Sequence, residues 1–157
     1  MKTLIVYVSE HRKNTEKIAK AFAEVIDADL INPISCELNS FDNYDLIGFG
    51  SGIYHSKFHA SLYRLLDHCN PVQGKMAFIF STSGHPEHKH LNNYNKEFES
   101  RLSSLGFSVV GNFSCRGHDA WGPLKLVGGI NKSKPDSTDI ENAKQFAESM
   151  KTKFLQD

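Results

Sequence analysis

Short apolar runs and amphipathic segments alternate along the whole chain. Three runs are apolar at consecutive positions, as strands covered on both faces must be: residues 4–8, 46–49 and 76–80. Residues 28–33 form a shorter run that ends in proline, and residues 107–115 alternate between apolar and polar side chains. Because alternation and proline are typical of sheet edges, we expect three central strands and two edge strands, the second and the fifth. The apolar set of the fifth run is Phe107, Val109, Phe113 and Cys115.

Amphipathic segments with helical spacing follow the first, third, fourth and fifth strand runs. The first segment begins near Thr15, and the other three cover residues 58–69, 91–105 and 140–154. Thr138 and Glu141 have the spacing of a capping box at the start of the last helix. The connection at residues 34–44 is short and predicts only one turn of helix.

Strands that alternate with helices predict a parallel sheet covered on both faces. With the second and fifth strands at the edges, the strand order is 2-1-3-4-5, a doubly wound arrangement. The predicted fold class is therefore α/β, a three-layer sandwich around a five-stranded parallel sheet. A length of 157 residues fits one domain, and the sequence shows no repeat or linker, so residues 1–157 are expected to form a single domain.

Composition and charge narrow the class of protein. The 18 basic and 18 acidic residues balance, which argues against a general nucleic-acid binder. The apolar run at the N-terminus is too short for a signal sequence or a membrane span, so we expect a cytoplasmic protein. Cys36, Cys69 and Cys115 lack CxxC spacing and are interpreted as reduced thiols. For Cys115, packing is favoured over a redox role.

In a doubly wound sheet the ligand binds beyond the carboxyl ends of the strands, near the switch between the first and third strands. The first loop, residues 9–15, lies there and precedes a helix whose free N–H groups attract anions. Arg12 and Lys13 add positive charge to this loop. A phosphate-binding loop and a solvated turn with an ordinary Asn or Thr cap both fit this pattern. No GxxxxGK[ST] or GxGxxG motif is present.

Two further loops follow the third and fourth strands. In the second loop, residues 50–55, small residues would let a flat ligand approach the backbone, and Tyr54 could stack on it. A plain turn with a half-exposed tyrosine fits as well. The third loop, residues 81–85, offers hydroxyls and backbone donors to the polar edge of a ring. It leads to His85, His88 and His90, which are interpreted as a solvated surface cluster, so no metal site is predicted.

Taken together, the three loops resemble the flavodoxin family over almost the whole chain. The resemblance rests on the pattern Tyr7-x-Ser9-x-His11-x-x-Asn14-Thr15-x-Lys17-Ile18-Ala19, on residues 44–54 and on residues 81–84. The tail, residues 115–123 and 128–132, is similar to a branch of bacterial flavodoxin-family proteins. Two departures are that Lys13 stands where the family usually has glycine, and that the first loop is one residue longer than the shortest form of the family.

The resemblance implies a non-covalently bound FMN, with its phosphate in the first loop and its ring between the second and third loops. The residues assigned to this site are Ser9, His11, Arg12, Lys13, Asn14, Thr15, Ser51, Gly52, Ile53, Tyr54, Ser81, Thr82, Ser83 and Gly84. The implied partners are a redox protein or a small-molecule electron donor or acceptor. The pocket is expected to be poor in anions.

Three functions remain open at this point. The first is electron transfer between redox partners. The second is an FMN-dependent oxidoreductase that acts on a small molecule and is linked to NAD(P)H or quinone. For this function the return segment, residues 115–131 with His118, Asp119 and Trp121, could cap the flavin, although a plain glycine-rich loop is favoured. The third is a flavin-free interaction module. No catalytic residue is assigned.

Overall fold

The computed structural model describes residues 1–10, 12–37, 40–84, 94–119 and 129–155. Its five strands form one parallel sheet in the order β2-β1-β3-β4-β5. The strands are β1 (Thr3–Val8), β2 (Ala28–Ile31), β3 (Leu46–Gly52), β4 (Met76–Ser83) and β5 (Ser108–Arg116). This confirms the predicted α/β fold class and the predicted strand order, with β2 and β5 at the edges.

Four helices cover the two faces of the sheet. They are α1 (Asn14–Ile26), α2 (Ala60–Asp67), α3 (Tyr94–Ser104) and α4 (Ser137–Phe154). The predicted single helical turn between β2 and β3 is the 3-10 helix Ser40–Asn43. The first residues of the predicted third helix, 91–93, lie outside the described residues. Among the described helices, none combines the length and apolar character that crossing a membrane requires.

The core on the α1 and α4 side of the sheet is aromatic. Phe22 of α1 lies edge-on to Phe78 and Phe80 of β4, with ring centroids 5.6 and 5.0 Å apart. These two rings lie over Gly48 and Gly50, their register partners on β3, where a Cβ atom would overlap them. The glycines of β3 therefore provide room for two phenylalanines, a packing role that the glycine-rich sequence did not reveal.

A β-bulge in β5 changes which face its side chains occupy. The register with β4 shifts between the pairs Ala77–Val109 and Phe78–Gly111, so Val110 is an extra residue. Val109 consequently packs with the core on the α2 and α3 side, whereas Phe113 packs with the opposite core. The alternation in the sequence therefore does not place all the apolar residues of the fifth run on one face.

The cap of α4 also differs from the prediction. Asp136, not Thr138, is the N-cap, and its carboxylate accepts the Asp139 N–H at 3.0 Å. Asp139 completes the capping box by accepting the Asp136 N–H, also at 3.0 Å. Lys134 lies 2.8 Å from the Asp136 carboxylate and, with the backbone donor, lowers the pKa of Asp136 to about 2. Thr138 and Glu141 have the same spacing as Asp136 and Asp139 but lie two residues further along the chain. The cap was therefore predicted two residues too late.

The turn between α3 and β5 joins the edge of the sheet to the residues that precede β4. Gly106 has a φ of +90° and accepts the Gly74 N–H at 3.0 Å, and Leu105 accepts the Val72 N–H at 2.8 Å. A Cβ atom on Gly106 would overlap the Val72 carbonyl oxygen. Gly74 also has a positive φ, +61°, but nothing lies within 4 Å of a Cβ atom there.

We expect Gly106→Ala to lower the free energy of unfolding by roughly 2–4 kcal/mol, because backbone strain and a clash with backbone act together. Gly74→Ala is the matched control and should lose about 1 kcal/mol through strain alone. Urea denaturation followed by far-UV circular dichroism measures both values. Equal losses in the two variants would show that the contact with Val72 is unimportant.

Candidate functional site

One buried residue of the third loop, Thr82, joins all three predicted loops. Its hydroxyl oxygen lies 2.9 Å from the Thr15 hydroxyl oxygen at the start of α1. Its carbonyl oxygen accepts the Ile53 N–H at 3.1 Å. Both threonines are buried, so each hydroxyl needs the other as its hydrogen-bonding partner. The first, second and third loops are thus held together at the carboxyl ends of β1, β3 and β4.

The first loop enters α1 without an ordinary side-chain cap. Arg12 and Lys13 have left-handed backbone conformations, with φ of 57° and 55°, and Lys13 is the N-cap residue but makes no side-chain cap hydrogen bond. The Ser9 hydroxyl accepts the Glu16 N–H at 3.2 Å. Neither Asn14 nor Thr15 is the N-cap, so the interpretation as an ordinary capped turn was wrong. The Lys13 ammonium lies 3.7 Å from the Glu16 carboxylate, and His11 lies outside the described residues.

Asn14 connects the first loop to the return segment. Its side-chain amide donates to the His118 carbonyl oxygen at 3.0 Å, and a Cβ atom on Gly117 would lie 2.7 Å from the same amide nitrogen. Asn14 is only 8% exposed, and no donor in the described part of the chain reaches its buried Oδ1 atom. A buried amide oxygen without a donor is unfavourable, so this atom is suited to a ligand hydroxyl.

The second loop ends in a tight turn that carries Tyr54. Two hydrogen bonds of 2.8 and 3.0 Å join Tyr54 and Lys57, and both residues between them, His55 and Ser56, have positive φ. This is the geometry of a type I′ turn built without glycine. The Tyr54 phenol covers Gly52, where a Cβ atom would lie 3.0 Å from the phenol oxygen. The predicted approach of a flat ligand to Gly52 therefore requires the Tyr54 ring to turn aside.

Ser51 and Ser81 have structural partners. The Ser51 hydroxyl accepts the His59 N–H at 2.9 Å and donates to the Gly52 carbonyl oxygen. The Ser81 hydroxyl lies 2.8 Å from the Ser114 hydroxyl. Both serine residues are fully buried, so their hydroxyls hold the strand ends in place. The structure does not bring the Ser81 side chain together with Thr15 and Thr82.

The return segment supplies groups that the sequence-based assignment of the site omitted. Its backbone pairs with the third loop through the Gly117 N–H, which donates to the Ser83 carbonyl oxygen at 2.9 Å. The Gly84 carbonyl oxygen accepts side-chain donors from Arg116 at 3.1 Å and Asn131 at 2.9 Å. The Asp119 carboxylate lies where a Cβ atom of Gly84 would be.

The sequence places Asp119 in a possible cap over the flavin, but only the fold shows that it contacts the third loop. Asp119 and Ile130 exchange backbone hydrogen bonds of 3.1 and 2.7 Å, which form an isolated antiparallel bridge between these two residues. Trp121 lies outside the described residues.

Carboxylates lie close to the predicted pocket. Asp119 contacts the third loop, and Glu10 of the first loop lies near Tyr54. Burial raises the pKa of the Tyr54 hydroxyl, and the charge of Glu10 raises it further. These two carboxylates weigh against the expectation of a pocket poor in anions. Among the described residues, no group of three or more potential metal ligands occurs, and His85, His88 and His90 lie outside them.

Residues 4–116 match the flavodoxin domain family. This match covers well over half of the chain. The chain belongs to the flavodoxin domain family. Members of this family generally bind flavin. The matched region includes the first, second and third loops and ends at Arg116, so most of the return segment of this flavodoxin-domain protein lies beyond the match.

One known protein is related in sequence, and solved structures share the fold. The sequence is 47% identical over 150 residues to an uncharacterised protein of Methanocaldococcus jannaschii, with 96% of this chain and 98% of the relative covered. A flavodoxin from the domain Archaea has the same fold, with a TM-score of 0.73, 18% identity and 99% of each chain covered. The rubredoxin oxygen:oxidoreductase of Desulfovibrio gigas is similar over 99% of this chain but 36% of its own, with a TM-score of 0.74 and 17% identity.

The three thiols of this flavodoxin-domain protein are held in their neutral form. Burial raises the pKa of Cys36 to about 11 and that of Cys115, at the end of β5, to about 12. Burial also raises the pKa of Cys69. Because the thiolate is the nucleophile, a thiol with a raised pKa reacts slowly at neutral pH. This supports the packing role that was favoured for Cys115.

We expect iodoacetamide at pH 8 to alkylate Cys36 and Cys115 of the native protein at least about a hundredfold more slowly than in the protein unfolded in guanidinium, because their raised pKa values reduce the thiolate fraction; Cys69 should also be slowed. Mass spectrometry of time points should show up to three adducts only after unfolding. Rapid labelling of native Cys115 would contradict the packing role.

Proposed function

We propose that this flavodoxin-domain protein binds FMN non-covalently between its three loops and transfers electrons in the cytoplasm. The observation that carries the proposal is the joining of the first, second and third loops at Thr82, which gathers hydroxyls, free helix N–H groups and Tyr54 at one end of the sheet. Membership of a family that generally binds flavin supports it. The partner would be a redox protein or a small-molecule electron donor or acceptor.

The residues present fit a flavin carrying a phosphorylated polyol chain. The N-cap residue of α1 makes no side-chain cap hydrogen bond, so the N–H groups of the first turn other than that of Glu16 can donate to a phosphate. The buried Asn14 Oδ1 atom, which lacks a donor among the described residues, would accept a hydroxyl of the ribityl chain. Arg12 is exposed and can add charge to the same loop. The phosphate would be held by Ser9, His11, Arg12, Lys13, Asn14 and Thr15.

The ring would be held by the second and third loops. Its contacts would come from Ser51, Gly52, Ile53, Tyr54, Ser81, Thr82, Ser83 and Gly84, with the two buried serines contributing backbone groups. Bound FMN would supply one- and two-electron redox chemistry. The protein would orient it with Tyr54, limit water with the return segment, and set its potential through nearby charges such as Glu10 and Asp119.

An FMN-dependent oxidoreductase linked to NAD(P)H or quinone is the second candidate. It is favoured by one observation: Arg116 and Asn131, at the two ends of the return segment, both donate to the Gly84 carbonyl oxygen, so these ends are held against the third loop. A fixed wall beside the flavin could define a pocket for a small molecule. A flavin-free interaction module, the third candidate, would leave the buried Asn14 Oδ1 atom without a donor.

The decisive experiment is a titration of the apoprotein with FMN, followed by flavin fluorescence and visible absorbance. We expect stoichiometric binding with a Kd in the micromolar range or below, and a yellow protein whose flavin is released by heat. A colourless protein that does not take up added FMN would contradict the proposal. If FMN binds, steady-state oxidation of NADH or NADPH distinguishes an oxidoreductase from a carrier.

We expect Thr15→Val to weaken FMN binding about tenfold and to lower the free energy of unfolding by about 1 kcal/mol, since it removes a phosphate-loop hydroxyl and leaves that of Thr82 buried without its partner. The matched control is Thr152→Val in the last turn of α4, whose hydroxyl donates to the Glu148 carbonyl oxygen at 3.1 Å. FMN titration and urea denaturation measure both variants. Equal affinities of the two variants for FMN would show that the Thr15 hydroxyl does not contribute to FMN binding.

A further inference from the structure

Glu10 and His59 form a bridge between the first loop and the residue that caps α2. The Glu10 carboxylate lies 3.1 Å from His59 Nε2. The other ring nitrogen, Nδ1, accepts the Ser61 N–H at 3.2 Å and lies 2.8 Å from the Ser61 hydroxyl. Because Nδ1 is the acceptor of the helix cap, the proton of the neutral ring is on Nε2 and is donated to Glu10.

The bridge fixes the position of the Glu10 charge. His59 is held by the cap of α2, by its own N–H on the Ser51 hydroxyl at 2.9 Å, and by an edge-on contact with Tyr54 at 5.4 Å between centroids. The carboxylate that it binds therefore points towards the second loop. The charge of Glu10 acts on the second loop, since it contributes to the raised pKa of the Tyr54 hydroxyl.

A fixed carboxylate is unusual in a loop that is proposed to bind a phosphate. Arg12, Lys13 and the α1 N-terminus attract an anion, whereas Glu10, in the same loop, repels it. Lys13 offsets this only in part, because it lies 3.7 Å from Glu16. A neutral His59 ring donates a hydrogen bond to Glu10 but does not cancel its charge. The repulsion acts most strongly on the charged phosphate and much less on the uncharged isoalloxazine and ribityl parts of an oxidised flavin.

We propose that Glu10, held by His59, is a specificity-determining residue that reduces the preference of this site for phosphorylated over unphosphorylated flavin. The inference rests on the proposed function, because it takes the phosphate of FMN to lie in the first loop. Because the charge of Glu10 repels the phosphate, removing that charge should increase the preference of the site for FMN over riboflavin.

The test compares FMN with riboflavin, which lacks only the phosphate. Kd values for both are measured by flavin fluorescence at low ionic strength, and the discrimination is the Kd for riboflavin divided by the Kd for FMN. We expect Glu10→Gln to raise this ratio about fivefold, through tighter FMN binding with riboflavin unchanged. In about 1 M salt, where charges are screened within about 3 Å, the difference from the wild type should largely disappear.

Two further variants make the result specific. Glu97→Gln is the matched control, because Glu97 is 48% exposed against 47% for Glu10 and also forms an ion pair, at 2.9 Å with Lys57. It should change the ratio less than about twofold. Glu10→Asp retains the charge but shortens the reach to His59, so its ratio should stay at or below that of the wild type. Thermal melts confirm that each variant is folded.

The outcomes separate the two proposals. If both flavins bind and Glu10→Gln leaves the ratio unchanged, or Glu97→Gln raises it equally, the role of Glu10 is overturned while flavin binding stands. If neither flavin binds the folded wild type, the proposed function fails and this inference fails with it. A fivefold rise confined to Glu10→Gln, reduced by salt, supports the inference.

Discussion

The hydrogen bond between the Thr15 and Thr82 hydroxyls is the contact on which the geometry of the candidate site depends. Two buried hydroxyls are unfavourable unless they are paired, and here each satisfies the other across 67 residues of sequence. The Thr82 backbone extends the link to Ile53. As a result, three loops that belong to different βα units are joined to one another by hydrogen bonds. A parallel sheet can build a site in this way because the carboxyl ends of its strands meet at one edge.

The return segment, most of which lies beyond the matched region of the family, contacts the candidate site. Side chains of Arg116 and Asn131 converge on one carbonyl oxygen, that of Gly84, and the His118 carbonyl receives the Asn14 amide. Each of these contacts joins residues that lie far apart in the sequence. They show how the described ends of the return segment, residues 115–119 and 129–131, are held against the first and third loops.

Much of this architecture could be read from the sequence, because strand order depends on patterns that repeat over many residues. Apolar runs identified the five strands, and the weak second and fifth runs were indeed the edges. The bulge at Val110 was missed, since one inserted residue reverses the face of later side chains without altering composition. The α4 cap was predicted at the wrong pair because two overlapping residue pairs have the same spacing, and the hydrogen bonds between Asp136 and Asp139 distinguish them only in the structure.

In the site, local motifs located the three loops, but side-chain directions and contacts between distant residues remained hidden. The Ser81 hydroxyl pairs with Ser114 of β5, and Asp119 of the return segment contacts Gly84 of the third loop. The aromatic core shows a related dependence. At Gly48 and Gly50, β3 contributes no side chain, and the rings of Phe78 and Phe80 cover it from β4. This part of the central strand is shielded from water only once its neighbour has docked, so β3 and β4 should assemble as one cooperative unit during folding.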